Sequence, residues 1–425
     1  MYFKSEQYEW KNRELNSIAE LLKKIDLTTS EQNIEGLTKN LIEAIESSLK
    51  LINANEILAD LAIANLPLNK YYLNHAKYFE YLYKSAENGY APAQYEIACQ
   101  ADDKRLLPPH YVYEDERWIS EWFSDENKQQ RNFFLKSEYD HWLRLAAENN
   151  YSYAQHQLSA DLFNSDNTAN TREALVWLEK AAYNRTPLPP AQFEYAKRIE
   201  NGEYQYKPNQ EDIFHLYEKA ALGGDADAML RMGKFYEEGN EGVAQDNEEA
   251  IRWYELSAEN YIDEAHLRAG LLMLQLNKSG GKCWDKAISH LREAGNAGIV
   301  EAMYIVGTEL VNKAVNRGVA NYQEPHDDDL RRTFADGIDW LNRAAENNSI
   351  DALIHLADLY ARGEINDGRN PEWGKADEYG DLQEALYLYE KAHAIEPNDY
   401  YLKAISRIQD ELKVLSAERE IQEQS

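Results

Sequence analysis

At 425 residues the chain is long enough for two or three ordinary domains, or for one repeat array that grows without a single spherical core. Hydrophobic residues make up 44% of it and aromatic residues 12%, which excludes a disordered chain. With 45 basic residues against 75 acidic ones, the net charge of −30 repels phosphate backbones and anionic headgroups, so neither nucleic acid nor a membrane surface is an expected partner.

The opening "MYFKSEQYEWKNRELNS" has no uninterrupted apolar stretch of signal length. No later segment approaches the roughly 18 to 20 apolar residues of a membrane span, so a soluble, cytoplasmic protein is expected. Cys99 and Cys283 stand far apart with no CxxC pairing. Neither a disulfide framework nor a zinc site is indicated, and both thiols are predicted to be buried small residues of a reducing compartment. Residues 1–65 are expected to supply extra helices that close one end of the fold.

From there the chain repeats itself. "SAENGYAPAQYEIA" at 85 to 98 returns as "AAENNYSYAQHQLS" at 146 to 159, "SAENYIDEAHLRAG" at 257 to 270 and "AAENNSIDALIHLA" at 344 to 357. Ala154, Ala191, Ala228, Ala265 and Ala302 fall at intervals of 37 residues, and five positions after each comes another small residue: Ser159, Ala196, Gly233, Gly270 and Gly307. Ala93 with Ala98 and Ala352 with Ala357 extend the pattern outward. On a helix, two residues five apart lie about 140° from each other and open both flanks to close neighbours.

Eight residues before these alanines a second helix ends, at Ser85, Ala146, Ala220, Ser257, Ala294 and Ala344. Its body carries Trp142 and Leu143, Trp177 and Leu178, Leu216 and Tyr217, Trp253 and Tyr254, or Trp340 and Leu341. Large side chains on one helix are expected to fill the space left by small ones on its neighbour, as bundle core. The turn is spelled out at "GNEGVAQD", 239 to 246, where Gly239 ends one helix, Val243 tucks under and Asp246 stands as N-cap of the next. The predicted unit is helix, turn, helix and short return, with antiparallel neighbours.

Residues 225 to 260, "DADAMLRMGKFYEEGNEGVAQDNEEAIRWYELSAEN", resemble the Sel1-like repeat, a relative of the tetratricopeptide repeat. Ala228, Gly233, Tyr236, Gly239, Gly242, Val243, Asp246, Ala250, Trp253, Tyr254 and Ala258 sit where that pattern wants them. Other copies keep only the packing positions. The resemblance implies an all-α, right-handed α-solenoid of antiparallel helix pairs, here about eight of them. It further implies a concave surface that holds other proteins, with no enzyme activity and no cofactor. The array is expected over 66–395, with a capping helix over 396–425 after Pro397.

Two insertions break the period. The first, at about 101–137, brings Tyr111, Tyr113, Trp118 and Trp122, and either folds these aromatics back onto the scaffold or presents them to a partner. The second, at about 316–333, contains His326 followed by Asp327, Asp328 and Asp329. Consecutive side chains do not converge readily on one ion, and Asp328 or Asp329 suits a helix N-cap better than a metal. "KSGGKCW" at 278 to 284 lacks the first glycine and the Ser or Thr of a phosphate loop, and no nucleophile elbow or zinc-protease pair is present.

The first helices are expected to line the concave face with Gln157, Arg231, Lys234 and Arg268, which fall between packing positions. The partner expected there is another protein, a basic one being favoured by the charge. Two roles remain open: a general scaffold, or a bacterial immunity protein that masks a toxin.

Overall fold

A computed structural model describes residues 79, 82–84, 86–104, 127–165, 168–204, 210–239, 243–276, 282–316, 328–365 and 378–423. The chain divides into two compact units between Asp225 and Ala226. The first holds α1 (Ala91–Asp102), α2 (Lys128–Glu148), α3 (Ser152–Phe163), α4 (Thr168–Ala182), α5 (Pro189–Glu200) and α6 (Gln210–Leu222). The second holds α7 (Ala226–Glu238), α8 (Asn247–Glu259), α9 (Asp263–Leu276), α10 (Lys282–Asn296), α11 (Val300–Asn316), α12 (Asp328–Glu346), α13 (Ile350–Ala361), α14 (Glu378–Ile395) and α15 (Asp399–Glu423). The fold is all-α: within each unit, odd-numbered helices pack on the even-numbered helices that follow, and those pack on the next copy.

The small residues do what their spacing demands. Ala93, Ala98, Ala154, Ala191, Ala196, Ala228, Ala265, Ala302, Ala352 and Ala357 are all fully buried, and Ser159, Gly233, Gly270 and Gly307 are buried with them. Each glycine faces a large side chain of its own partner helix. A Cβ added at Gly270 would lie 2.5 Å from Leu291 Cγ, and one at Gly307 would lie 2.7 Å from Leu341 Cγ. At Gly233 the added carbon would run into the ring of Tyr254. Tyr217, Tyr254, Tyr389, Leu143 and Leu178 are among the largest fully buried side chains, so the second helix delivers bulk where the first delivers room. Trp142, Trp177 and Trp340 are buried beside them, whereas Trp253 is half-buried.

The same small pairs also end the second helices. In the turn after α8, the Ile262 N–H bonds to Ser257 O and the Tyr261 N–H to Ala258 O. The Asp225/Gly224, Ile299/Gly298, Tyr151/Asn150 and Ser349/Asn348 turns repeat this pattern. It is the Schellman arrangement, which needs a left-handed residue at its corner. Gly89, Gly224 and Gly298 supply that conformation, Asn150 and Asn348 tolerate it, and Tyr261 adopts it at φ 67°. The turn after α7 behaves as its sequence implies. Gly239 is left-handed, the Asp246 N–H bonds back to Tyr236 O, and the Asp246 carboxylate caps α8 by accepting from the Glu248 and Glu249 N–H groups at 3.0 Å each.

One feature of the first unit has no counterpart in the expected core. Gln94, Gln155 and Gln192 each follow a phase-setting alanine and are buried. Their side-chain amides donate to Ala86 O (2.9 Å), Ala147 O (3.0 Å) and Ala182 O (3.2 Å), tying each first helix to the end of the helix before it. Asn149 and Asn184 in turn donate to the Gln94 and Gln155 side-chain oxygens. A buried amide satisfied on both sides is tolerated where an unpaired one costs about 1–3 kcal/mol.

At the other end of the chain, α15 packs on α14 and buries Tyr401 and Ile408. The cysteine expectation needs correction: Cys99 is half-buried and Cys283 is exposed, because Cys283 falls in the first turn of α10, before the buried face of that helix begins at Trp284. Residues 1–65 and, within the insertion at about 101–137, residues 105–126 lie outside the described residues.

Tyr261 offers a direct test of the turn. Its side chain is 91% exposed, so replacing it removes little packing while relieving a left-handed strain of about 1–2 kcal/mol. Allowing for the greater unfolded-state freedom of glycine, Tyr261→Gly should stabilise the second unit by about 0.5–1 kcal/mol in chemical denaturation. A loss of stability would contradict the turn geometry.

Candidate functional site

Along α7, α9, α11 and α13 the positions three residues after the phase-setting alanine are Arg231, Arg268, Ile305 and His355, and those six after it are Lys234, Leu271, Thr308 and Asp358. All eight are half-buried, as expected of a helix row left uncovered by the packing of the copies. The row is basic on α7 and α9 and turns apolar on α11, where Tyr304 and Ile305 lie against the core.

The structure brings two of the predicted contact residues, Lys234 and Arg268, together and shows what holds them. Lys234 Nζ lies 2.8 Å from Glu264 Oε1, and Arg268 Nε approaches the same oxygen at 3.4 Å. Arg268 also reaches Glu237 Oε2 at 3.5 Å, and that carboxylate accepts a short hydrogen bond from the Tyr254 hydroxyl. The Arg231 guanidinium lies over the Phe235 ring, 4.5 Å from its centroid. The bond from Lys234 holds the Glu264 carboxyl below its ordinary range, against the opposing effect of burial, and Arg268 helps. Burial works against the charge on Arg268, but Tyr254, Glu237 and Glu264 outweigh it and keep the guanidinium protonated. Burial first, and Glu237 next, push the Tyr254 phenol up, so the hydroxyl stays a donor.

Lys234 and Arg268 are therefore pre-positioned rather than free-swinging, anchored by the two carboxylates of the Lys234–Glu264–Arg268–Glu237 chain. Glu237 and Glu264 went unmarked in the sequence because carboxylates are abundant there. The step of 30 residues from Lys234 to Glu264 and of 31 from Glu237 to Arg268 is visible only once the period of the array is applied. Gln157 lies in the first unit, where its amide donates to Asp161 Oδ1 at 3.0 Å and Tyr139 OH donates to the other oxygen at 2.5 Å. It lines an open cavity of about 860 Å³ together with Lys104, Lys136 and Arg144. Tyr111, Tyr113, Trp118 and Trp122 lie outside the described residues.

One histidine, His355, belongs to this row, and His266 lies beside it on α9. His266 and His290 face each other with Nδ1 atoms 3.0 Å apart, and His355 Nδ1 meets Thr308 Oγ1 at 3.2 Å. Among the described residues no three His, Cys, Asp or Glu side chains gather as a metal site, and no helix is long and apolar enough to cross a membrane.

With that geometry in place, the chain can be set against known proteins. A model of the Sel1 repeat matches residues 152–184, 189–225, 226–261, 334–349 and 350–392. A curated relative, chitin synthase regulatory factor 3 of Schizosaccharomyces pombe, is 33% identical over 143 residues, which is 32% of this chain and 15% of that protein. The chain thus spans about 15% of the length of that relative. Among solved structures, a protective antigen of uropathogenic Escherichia coli strains displaying an SLR fold is 19% identical, with 94% of this chain and 81% of that one covered at a TM-score of 0.51. A Sel1 repeat protein from Oxalobacter formigenes is 24% identical, with 58% of this chain and 89% of that one covered at a TM-score of 0.39. The first of these structures supports the fold.

The half-buried histidines give the array a pH dependence of definite sign. His156, His290 and His355 are each held below the ordinary value of 6.5, in every case mainly by burial, with His266 adding to the effect at His290 and Arg362 at His355. A group whose folded value is depressed takes up its proton first in the unfolded chain, so stability falls as pH drops below 6.5. Thermal melting in steps from about pH 7.5 to 5.5 should show a falling Tm, and His290→Gln should flatten the slope. A Tm that rises on acidification through this range would contradict the assignment.

Proposed function

We propose that the chain, which matches the Sel1 repeat over residues 152–184, 189–261 and 334–392, is a non-catalytic scaffold that binds another protein through the half-buried row of its first helices. Sel1 repeats generally mediate protein–protein interaction. The observation that carries the reading is the row itself: Lys234 and Arg268 are fixed by Glu264 and Glu237, Arg231 lies over the Phe235 ring, and the row continues into apolar Ile305 with Tyr304 beside it. Held side chains lose less freedom on binding than mobile ones, which favours recognition at a preformed surface. Among the described residues the row gathers no metal-ligand set, and its one hydroxyl, that of Thr308, lies 3.2 Å from His355 Nδ1.

The net charge of −30 favours a basic partner at the stage of encounter. It also supports a second reading, an immunity protein that masks a basic toxin, which adds the requirement of slow dissociation and a Kd in about the nanomolar range or below. In either role the protein works in the cytoplasm.

Capture on the immobilised full chain tests the face. A partner retained by the parent should be lost at least tenfold by combined Leu271→Glu and Ile305→Glu, which spoil the row without removing its ion pairs. Lys413→Glu, far along α15, should leave capture unchanged. If both variants retain the partner equally while melting like the parent, the binding face lies elsewhere. For the basic-partner reading, the association rate should fall as salt rises from about 0.01 to 0.15 M, where the Debye length shrinks from about 30 to 8 Å. A rate indifferent to salt would exclude it.

A further inference from the structure

A second polar feature of the second unit adjoins the end of that row at Asp358. Between α13, α14 and α15 lies an open cavity of about 510 Å³, lined by Asp358 and Arg362, by Tyr389, and by Tyr400, Lys403 and Arg407. Three cations against one carboxylate is an unusual local balance in a chain whose net charge is −30. Lys403 and Arg407 stand one helical turn apart on α15 and share a face, while Arg362, just past the end of α13, supplies the opposite wall.

The cavity's single carboxylate is already engaged, because Asp358 Oδ1 accepts a short hydrogen bond from the Tyr389 hydroxyl. The cations are far less committed. Arg362 donates its Nε–H to Asp358 O at 3.1 Å and lies 3.5 Å from Glu364 Oε1, and Arg407 Nε is 3.9 Å from Glu411 Oε1. Both carboxylate distances exceed the roughly 2.7–2.9 Å of a well-made charged hydrogen bond. Both use only the Nε edge, so the terminal guanidinium nitrogens make no hydrogen bond or ion pair among the described residues, and neither does the Lys403 ammonium.

We infer that this cavity binds an acidic peptide segment, with Arg362, Lys403 and Arg407 receiving its side-chain carboxylates. A guanidinium presents a planar fork that matches a carboxylate bidentately, and the lysine adds a mobile point charge from the same wall as Arg407. Tyr400, 57% exposed, offers a flat flank for the peptide backbone. The volume lies within the roughly 300–1,000 Å³ of sites that hold a small ligand or a few residues. Nucleic acid and bilayers fit poorly, since an extended polyanion would meet the field of the whole chain. One or two carboxylates set within about a Debye length of the three cations respond mainly to those.

The test titrates the full chain with two rhodamine-labelled, C-terminally amidated hexapeptides, Gly-Ser-Asp-Asp-Gly-Ser and Gly-Ser-Asn-Asn-Gly-Ser, read by fluorescence polarisation at fixed ionic strength. The diaspartate peptide should bind at least tenfold more tightly than the diasparagine one. Lys403→Glu and Arg407→Glu should each weaken it tenfold or more with unchanged melting, and Lys413→Glu, on the same helix outside the cavity, should not. Equal affinity for the two peptides, or an equal loss in the Lys413→Glu control, would overturn the inference. Displacement by millimolar inorganic phosphate with no preference between the peptides would likewise overturn it, in favour of a free-phosphate site.

Discussion

The fold depends on one steric relation, repeated copy after copy: a small residue on the first helix of a pair sits against a bulky one on the second. Gly233 faces Tyr254, Gly270 faces Leu291 and Gly307 faces Leu341, with no room for even a Cβ between them. Because interiors are close-packed, that relation sets how near two helix axes approach and in what register. The alanine five residues earlier clears the opposite flank for the preceding copy. The small pair that closes each second helix, such as Ser257 with Ala258, adds the carbonyls that the Schellman turn consumes. One short run of small residues therefore governs packing and chain reversal together.

This is why so much of the fold was legible. A period of 37 residues, set by Ala154 through Ala302, names the helix, its buried flank and its neighbour before any coordinate is known. Asp246 and Gly239 were readable for the same reason, since capping and left-handed turns are local chemistry. The glutamine ladder was present in the letters, as the "AQ" of Ala93–Gln94, Ala154–Gln155 and Ala191–Gln192. Its meaning lay in carbonyls eight or ten residues back, which hydrophobic pattern does not weigh. Cys283 failed for the converse reason: its residue type favours burial, but its place at the start of α10 decides otherwise.

The surface was less legible than the core. Arg231, Lys234 and Arg268 were separable from packing positions by register alone, but the fixation of Lys234 and Arg268 comes from Glu264 and Glu237 on neighbouring first helices. The cavity formed by Arg362, Lys403 and Arg407 was invisible in sequence, because α14 intervenes and because α15 reads as a plain polar cap. Repetition enforces the packing positions in every copy. It leaves the row between them free to differ, which is what allows one scaffold to carry a basic stretch, an apolar stretch and a cationic cavity.

The relation of small to large side chains is tested most directly by a double-mutant cycle at Gly233 and Tyr254, read by chemical denaturation. In the parent, Gly233→Ala should cost about 1–3 kcal/mol, because the added methyl meets the Tyr254 ring. In a Tyr254→Ala background the ring is gone and the helical preference for alanine, worth about 1 kcal/mol, should make the same change neutral or stabilising. An equal cost in both backgrounds would show that the glycine is not there to admit the ring, and would remove the constraint on which the account rests.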